Sequence, residues 1–425
     1  MKIILVLLDG LGDRSYKELG NRTPLQAAET PNMDRLAALG SNGLFHASHT
    51  GECLPSETAH YLMFGYDLKN FPGRGLLEAV GDSVPFDDSD VLCLCHLSGI
   101  TWRDGLPILT QKRNDIKGSF EEIDKLFKII SPYESNGIQF RLHQTRRNDA
   151  VLIMSGNVSP YVSDSDPMIP SKPMALIQPV FGNPEPKRAK LTAIAMNDYL
   201  AFCHRTLSGY NTKANFLATQ RCGRRIIQHP FKKLWGLNGI LIASESVYMG
   251  LANELGLDAV RTINSKDPGQ DLRNRIRMAL EDKTHDFIHV HTKAPDEAAH
   301  KGDPDEKRAI IASLDKGLDE LLTAIESGDN LLVAVTADHS TPSTSMLIHS
   351  GEPIPIMIAG PNVRRDNVVV FDEINCAKGC LGLLRGKELM LMLLNYSDRS
   401  VLQGHQLGNL KRAYFPDSYE PFKLK

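Results

Sequence analysis

Apolar segments of strand length alternate with amphipathic segments of helix length through the second half of the sequence. Parallel strands need a crossover connection between them, and that connection is usually a helix. The alternation therefore predicts an α/β protein with a mainly parallel sheet and helices on both of its faces. A helix is expected over residues 307–325. With two apolar runs in the N-terminal part included, the expected strands are residues 2–8, 44–48, 214–220, 237–244, 258–263, 286–292, 331–337 and 353–360.

A different pattern interrupts this alternation. Short alternating runs and a proline-rich loop at residues 166–186 predict a smaller α+β domain at residues 81–209. We therefore expect a discontinuous core domain formed by residues 1–80 and 210–402. The C-terminal tail, residues 403–425, has no periodicity that predicts an element.

Charge and hydropathy exclude two classes of partner. Lys and Arg total 48 against 51 Asp and Glu, a net charge of -3, so the chain lacks the basic field that nucleic-acid binding requires. No apolar run approaches the ~18 residues of a membrane span, and the run from Ile3 to Leu8 stops at Asp9, too early for a signal peptide. The seven cysteines are scattered and odd in number, which favours reduced thiols in the cytoplasm.

The strand expected at residues 331–337 leads directly into Asp338 and His339, and His349 follows ten positions later. Open α/β sheets bind their ligands at the carboxyl ends of strands. Carboxylate and imidazole groups suit divalent zinc or manganese. The pair by itself also fits a turn or a helix cap, so its meaning depends on matching residues elsewhere.

A second pair of metal-ligand type follows the strand at residues 286–292. Pro295 is expected to start a helix on which Asp296 and His300 lie four positions apart, on one face. That spacing suits two ligands of one metal ion. It equally suits a helix-capping aspartate beside a surface histidine.

Two further residues complete a set that carries chemistry. Asp9 directly follows the N-terminal strand, and Ser56 lies at the start of a helix, where an anion is favoured. Such a set would hold two divalent ions, which clamp the attacking and leaving oxygens of a phosphoryl transfer, and a serine hydroxyl on a metal would be a competent nucleophile. The candidate ligands are Asp9, Ser56, Asp296, His300, Asp338, His339 and His349.

Eight sequence segments occur in the order expected of one protein family. They are LLDGLGDR, TPNMDRLAALG, PSETAHYLMFGYD, GRGLLEAVG, VSDSDP, HTKAPDEAAHKGD, TADHSTP and HSGEPIPIMIAG. From Met1 to about Asn395 the chain resembles the cofactor-independent phosphoglycerate mutases of archaeal type, in the alkaline phosphatase superfamily. The resemblance implies an alkaline-phosphatase-like fold. It also implies interconversion of 3-phosphoglycerate and 2-phosphoglycerate through a phosphoserine intermediate.

The resemblance also assigns roles to the candidate residues. It implies that Ser56 is the residue phosphorylated and that it contacts the second of two metal ions, manganese or zinc. The first ion would be held by Asp296, His300 and His349, and the second by Asp9, Asp338 and His339.

The inserted domain would present a small phosphorylated hydroxy acid to the phosphoserine. By the same resemblance, Lys293, Arg221 and Arg74 are the candidates for binding its phosphate and carboxylate, a task for which the guanidinium group is well suited. Each could equally be a solvated surface charge. The oligomeric state is open.

The chain departs from the family pattern on the substrate side. QKRNDI, RRNDAV and QRCG stand where arginine- and glycine-containing elements are usual, and Met168 follows DSDP where a histidine is common. These departures leave a second hypothesis: a metal-dependent phosphatase or phosphotransferase of the same superfamily, acting on another small hydroxy acid such as homoserine. A third hypothesis, an inactive binding protein, is disfavoured because every ligand position is filled. His60 and His289 are interpreted as core histidines, not ligands. His291 could approach the site, but a core role is favoured for it as well.

Overall fold

The computed structural model describes residues 1–112, 115–210, 212–344, 347–405, 412–416 and 419–424. Within them the chain forms two compact units. Unit 1 comprises Met1–Asn70, Gln228–Tyr248 and Ala252–Lys425, and unit 2 comprises Phe71–Ile227 and Met249–Leu251. Two of the sequence features, residues 113–114 of the QKRNDI segment and much of the tail, lie outside the described residues.

The structure contains strands and helices in both units. The strands are β1 (Lys2–Leu8), β2 (Gly40–His46), β3 (Val91–Arg103), β4 (Leu106–Gln111), β5 (Tyr133–Ser135), β6 (Ile138–Gln144), β7 (Asp149–Gly156), β8 (Phe216–Gly223), β9 (Gly239–Ala243), β10 (Asp258–Arg261), β11 (Phe287–Thr292), β12 (Leu331–Thr336), β13 (Ile354–Ala359) and β14 (Gly382–Arg385). The α-helices are α1 (Pro24–Ala27), α2 (Pro31–Ala38), α3 (Ser56–Met63), α4 (Arg74–Gly81), α5 (Phe120–Ile129), α6 (Pro186–Leu207), α7 (Phe231–Trp235), α8 (Ser246–Leu255), α9 (Pro268–Glu281), α10 (Ala294–Ala299), α11 (Pro304–Lys316), α12 (Asp319–Glu326), α13 (Glu373–Cys376) and α14 (Glu388–Tyr396). Two 3₁₀ helices cover Lys17–Leu19 and Leu68–Asn70.

Unit 1 is organised around an eight-stranded sheet with the order β10-β9-β11-β1-β12-β13-β2-β14. All neighbouring strands are parallel except for β13, which runs antiparallel to both β12 and β2. The predicted α/β class with a mainly parallel sheet is therefore confirmed. The three central strands β11, β1 and β12 are buried along nearly their whole length, and β1 and β12 are almost entirely apolar, as strands covered on both faces usually are.

The register of the central strands decides where the functional residues lie. Leu8 of β1 is opposite Thr292 of β11, and Leu7 is opposite Thr336 of β12. The carboxyl ends of the three strands therefore meet at one edge of the sheet. The segments that begin at Asp9, Lys293 and Ala337 leave the sheet from this edge.

The single helix expected over residues 307–325 is interrupted. Helix α11 ends at Lys316 and α12 begins at Asp319, with Gly317 between them. A Cβ atom on Gly317 would lie 2.6 Å from the carbonyl oxygen of Gly269 in α9. The break therefore occurs where α9 packs closely against the chain.

Unit 2 contains an antiparallel sheet with the order β4-β3-β7-β6-β5, and β8 pairs with β3. The strand expected at residues 214–220 thus forms, but the prediction that it belongs to the mainly parallel sheet was wrong. It pairs antiparallel with β3, Leu97 being opposite Leu217. Helix α4 also belongs to this unit, because a Cβ atom on Gly75 would lie 2.6 Å from the backbone of Cys93. The inserted segment predicted at 81–209 falls inside unit 2.

Among the described residues, no helix combines the length and the apolarity that are needed to cross a lipid bilayer.

His285, which follows α9, makes two contacts with carboxylates. Its Nδ1 atom lies 2.8 Å from Asp282 and its Nε2 atom 2.9 Å from Asp258, and its side chain is 8% exposed. Burial lowers the pKa of His285, but the hydrogen bonds and charges of the two carboxylates outweigh burial and raise the pKa overall. The protonated imidazole is therefore stabilised in the folded chain.

We predict that His285→Asn destabilises unit 1 at low pH and has less effect at high pH. Because the folded pKa is raised, the stabilisation is fully present below the unfolded pKa of about 6.5 and is lost as the pH rises through the folded value. The expected loss is up to about 1 kcal/mol, since one of the two partners is exposed. Urea unfolding midpoints measured from pH 5.5 to 9 by circular dichroism would report it. The exposed His143 supplies a control, His143→Asn; a His285→Asn deficit that is independent of pH would contradict the prediction.

Candidate metal centre

The residues that follow β1 and β11 are tied together at the edge of the sheet. The backbone N–H of Asp9 donates to the carbonyl of Thr292, and the N–H of Asp296 donates to the carbonyl of Asp9, at 2.9 and 3.0 Å. Gly10 turns the chain with a φ of 68°. A Cβ atom there would lie 2.6 Å from Oγ1 of Thr341 and 2.8 Å from Cβ of Asp296. The site therefore requires glycine at position 10.

One group of potential ligands comprises Asp296, His300 and His349, whose ligand atoms lie within 4.8 Å of one another. The Nε2 atoms of His300 and His349 lie 3.3 and 3.5 Å from Oδ1 of Asp296. Nδ1 of His349 lies 2.7 Å from the carbonyl oxygen of Leu54, to which it donates. The lone pair of the neutral ring is therefore on Nε2, the atom that faces Asp296.

A second group comprises Asp9, Asp338 and His339, again with ligand atoms within 4.8 Å of one another. Nε2 of His339 lies 3.6 Å from Oδ1 of Asp9 and 3.3 Å from Oδ2 of Asp338. The rings of His339 and His349 are stacked with centroids 3.7 Å apart, so the two groups adjoin. The structure thus brings together all six predicted carboxylate and imidazole ligands, in the two sets that the family resemblance implies.

Each carboxylate of the second group has one oxygen engaged and one unengaged. Oδ2 of Asp9 accepts from Tyr248, His291 and Lys293 at 2.7, 3.1 and 3.1 Å. Oδ1 of Asp338 accepts from the backbone N–H groups of Gly10 and His339, at 3.2 and 3.1 Å. The other oxygens, Oδ1 of Asp9 and Oδ2 of Asp338, are buried and have no hydrogen-bond partner among the described residues. Buried carboxylate oxygens of this kind fit a divalent cation.

The charges of the buried side chains at the site also favour divalent cations. Three buried carboxylates, Asp9, Asp296 and Asp338, are accompanied by the ammonium of Lys293, which lies 3.1 Å from Asp9 and 3.0 Å from Asp296. Burial and the neighbouring Asp9 charge raise the pKa of Asp338. Burial lowers the pKa of Lys293, but Asp9 and Asp296 outweigh burial and raise it. Buried charges need compensation, and two divalent cations would supply it.

Ser56 lies beside the second group. It is the first residue of α3, after Pro55, and its side chain is buried. Its Oγ atom lies 3.0 Å from Nε2 of His339 and 3.3 Å from Nζ of Lys293. The predicted nucleophile and the predicted substrate-binding lysine therefore lie at the same place as the ligands.

The sequence was compared with families and with known proteins. The family model of the Metalloenzyme superfamily matches residues 1–396. The 2,3-bisphosphoglycerate-independent phosphoglycerate mutase 2 of Methanocaldococcus jannaschii is 39% identical, with 99% of both chains covered. The 2,3-bisphosphoglycerate-independent phosphoglycerate mutase of Methanopyrus kandleri is 33% identical, over 94% of this chain and 97% of its own.

The chain belongs to the 2,3-bisphosphoglycerate-independent phosphoglycerate mutase family, within the Metalloenzyme superfamily.

Solved structures agree with this membership of the mutase family. The cofactor-independent phosphoglycerate mutase of Thermoplasma acidophilum has a TM-score of 0.60 and 28% identity, over 93% of this chain and all of its own. A protein from Pyrococcus horikoshii has a TM-score of 0.74 and 25% identity, over 95% of this chain and 99% of its own. The family resemblance predicted from the sequence is confirmed.

Arg74 and Arg221, the other predicted substrate-binding residues of this mutase-family chain, lie in unit 2. Arg74 forms an ion pair of 3.0 Å with Glu78, one turn along α4. Arg221 has a φ of 55°, and its backbone N–H donates to Oδ1 of Asp164 at 2.6 Å. A role for either residue in binding substrate stays a prediction.

The three histidines interpreted as core residues have different surroundings. His289 is buried with its ring 5.4 Å from that of Phe64, as a core residue would be. His60 is buried next to the site, its Nδ1 atom donating to the carbonyl of Ser56 at 2.8 Å, and burial lowers its pKa to about 3. His291 is buried as well and contacts Asp9, so its approach to the site, the less favoured interpretation of the sequence, is what the structure shows.

Three more residues of the site were not singled out in the sequence: Tyr248, Lys307 and Thr341. Lys307 is fully buried, and its ammonium donates to the carbonyls of Gly12 and Thr341 at 2.9 and 2.8 Å and to Asp13 at 3.1 Å. It therefore joins the segment after β1 to the segment after β12. No local pattern marks Tyr248 or Lys307, because each acts on a partner far away in the sequence. Thr341 lies two positions after His339, in the segment TADHSTP, but its role was not recognised.

We predict that the protein binds about two divalent ions per chain and that Asp338→Asn removes one of them. The substitution removes the charge of Asp338, which carries one of the two unengaged carboxylate oxygens of the second group, and leaves the first group intact. Protein equilibrated with manganese(II) and then desalted would be assayed by inductively coupled plasma mass spectrometry.

The control for Asp338→Asn is Asp315→Asn. Asp315 is also buried and accepts backbone N–H groups, from Asn32 and Met33, but it belongs to neither group. Equal manganese content in the two variants would show that Asp338 is not a ligand.

Proposed function

We propose that this protein interconverts 3-phosphoglycerate and 2-phosphoglycerate through a phosphoserine formed on Ser56, with two divalent ions, manganese or zinc, as cofactors. One observation carries the proposal. The Ser56 hydroxyl is buried at a helix N-terminus, 3.0 Å from His339 of one ligand group and 3.3 Å from Lys293. A nucleophile, an ammonium and two adjoining ligand groups are what phosphoryl transfer through a covalent intermediate requires.

The two groups described above would hold the ions. Asp296, His300 and His349 would bind the first, and the second would be bound by the group that adjoins Ser56, namely Asp9, Asp338 and His339. When bound, the ions would supply positive charge for the phosphoryl oxygens and would favour ionisation of the serine hydroxyl. Mixed carboxylate and imidazole ligands suit both manganese and zinc.

The chemical step is a displacement at phosphorus by Ser56. The bond from Oγ to phosphorus forms while the bond from phosphorus to the glycerate oxygen breaks. The glycerate oxygen takes up a proton as the serine gives one up. In the second half of the reaction the phosphoryl group passes to the other glycerate hydroxyl, and the serine hydroxyl is restored.

The protein's own groups prepare this step. Lys293 donates to the Ser56 Oγ atom and thereby fixes its position, while its ammonium provides positive charge beside the incoming phosphoryl group. Ser56 is the first residue of α3, so the positive end of the helix dipole also faces that group. Because Ser56 is buried, its hydroxyl is largely withheld from water, which would otherwise compete as acceptor.

Unit 2 is proposed to bind the glycerate, with Arg74 and Arg221 as the candidates for holding its phosphate and carboxylate. The phosphorylated hydroxy acid is the proposed partner, and the proposed location is the cytoplasm. All seven cysteines are free in the structure, in keeping with a reducing compartment.

We predict that Ser56→Ala lowers mutase turnover on the order of 10⁴-fold or more, because the covalent route is lost. Wild-type protein quenched in acid after mixing with labelled 3-phosphoglycerate should carry phosphate on the peptide that contains Ser56, detected by mass spectrometry. Ser397→Ala, at a buried serine that bonds to the carbonyl of Leu394, is the matched control and should retain full turnover. Mutase activity that survives Ser56→Ala would refute the proposed intermediate.

A second function is favoured by the altered segments of unit 2: phosphoryl transfer to water or to another hydroxy acid such as homoserine. We predict that the protein with manganese(II) converts 3-phosphoglycerate to 2-phosphoglycerate faster than it releases inorganic phosphate. Phosphohomoserine and p-nitrophenyl phosphate should be poor donors in the same assay. Rapid phosphate release from any of these compounds without isomerisation would favour the second function and would leave the role of Ser56 intact.

A further inference from the structure

We propose that Thr341 is a positioning residue that connects the two ligand groups and sets the tautomer of His339, so that the Nε2 atom of His339 presents its lone pair to the second metal ion. The inference rests on the proposed metal centre and goes beyond the ligands themselves. Thr341 is fully buried. Its Oγ1 atom lies 2.8 Å from Oδ1 of Asp296 and 3.1 Å from Nδ1 of His339. One hydroxyl thus contacts a ligand of each group.

The direction of these two hydrogen bonds follows from the number of protons. A threonine hydroxyl has one proton, and an ionised carboxylate can only accept. Asp296 lies 3.0 Å from the ammonium of Lys293, so the hydroxyl proton is directed to Asp296. The Oγ1 atom is then the acceptor of the bond with His339, and Nδ1 of His339 carries the hydrogen.

The tautomer of His339 has a consequence at its other nitrogen. A neutral imidazole with its hydrogen on Nδ1 has its lone pair on Nε2. Nε2 is the atom that faces the carboxylates of the second group and the Ser56 hydroxyl, at 3.6, 3.3 and 3.0 Å. The opposite tautomer would direct an N–H group at the place where a cation would bind. Ligating histidines commonly donate their other N–H to a fixed acceptor, which orients the ring.

The position of Thr341 is itself fixed by its backbone. Its N–H donates to the carbonyl of Gly12 at 2.9 Å, and its carbonyl accepts from the buried ammonium of Lys307 at 2.8 Å. Gly10 leaves the space that the hydroxyl occupies, since a Cβ atom there would lie 2.6 Å from Oγ1. The hydroxyl is therefore held between Asp296 and His339 by three segments of chain. Through its two hydrogen bonds it links the two groups of candidate metal ligands.

The test is binding of manganese(II) to the metal-free protein, measured by electron paramagnetic resonance of the free ion without any substrate. Thr341→Val keeps the shape of the side chain and removes the hydroxyl, and we expect it to weaken binding roughly 10- to 100-fold, as loss of such supporting contacts does. Thr341→Ser keeps the hydroxyl and should bind manganese(II) close to wild type. Thr336→Val is the matched control: Thr336 is also fully buried, in β12, and donates to the carbonyl of Pro355 at 3.0 Å.

A second measurement reports the tautomer directly. In wild-type protein labelled with ¹⁵N in histidine, the His339 ring should show the chemical shifts of a hydrogen on Nδ1. Thr341→Val should shift it toward the other tautomer, whereas Thr336→Val should not. This measurement on wild type also serves if Thr341→Val does not fold.

Three outcomes overturn the proposal: a hydrogen on Nε2 in wild type, unchanged manganese binding in Thr341→Val, or equal losses in Thr341→Val and Thr336→Val. Its failure is distinguishable from failure of the proposed function. A wild-type protein that isomerises phosphoglycerate while Thr341→Val binds manganese normally would refute only the role of Thr341. A protein that transfers phosphate to another acceptor while Thr341→Val binds manganese weakly would refute only the substrate.

Discussion

Three buried carboxylates held at one edge of a parallel sheet are the constraint on which the rest of the structure depends. Asp9, Asp296 and Asp338 are each nearly inaccessible, and Lys293 is the ammonium that pairs with two of them. Buried charges of one sign are strongly unfavourable without compensation. The fold tolerates them because the register of β1, β11 and β12 fixes the segments that carry them, and because divalent cations would complete the charge balance.

The arrangement of the carboxylates is set largely by groups that bind no metal in the proposal. Tyr248 and His291 engage one oxygen of Asp9, and two backbone N–H groups engage one oxygen of Asp338. In each case the second oxygen has no hydrogen-bond partner among the described residues and is available to a cation. Burial lowers the pKa of His291, which disfavours a positive charge on its ring beside the proposed cation site. The positions of the candidate ligand atoms therefore depend on the residues that hydrogen-bond to the ligands as much as on the ligand residues themselves.

The candidate ligand residues could be proposed from the sequence because local patterns mark them. A strand that ends in Asp and His, or a helix with Asp and His four positions apart, is visible within about ten residues. The supporting residues could not be predicted in this way. Tyr248 is 239 positions from Asp9 and Lys307 is 295 from Gly12, and neither has a neighbour that marks it. The sheet of β8 was also missed, because alternation predicts that a strand forms and not which strand it pairs with.

Selection of the acceptor is, in the proposed function, a property of unit 2. Arg221 has a left-handed backbone, which costs about 1 kcal/mol for a residue other than glycine and is kept only where surrounding contacts fix it. Here the carboxylate of Asp164 accepts its backbone N–H at 2.6 Å, and Asp164 belongs to the segment VSDSDP that carries the family resemblance. The contact with Asp164 therefore fixes the backbone position from which the Arg221 side chain extends. In the proposed function, the candidate metal centre would carry out phosphoryl transfer, and residues of unit 2 such as Arg221 would decide which hydroxy acid is accepted.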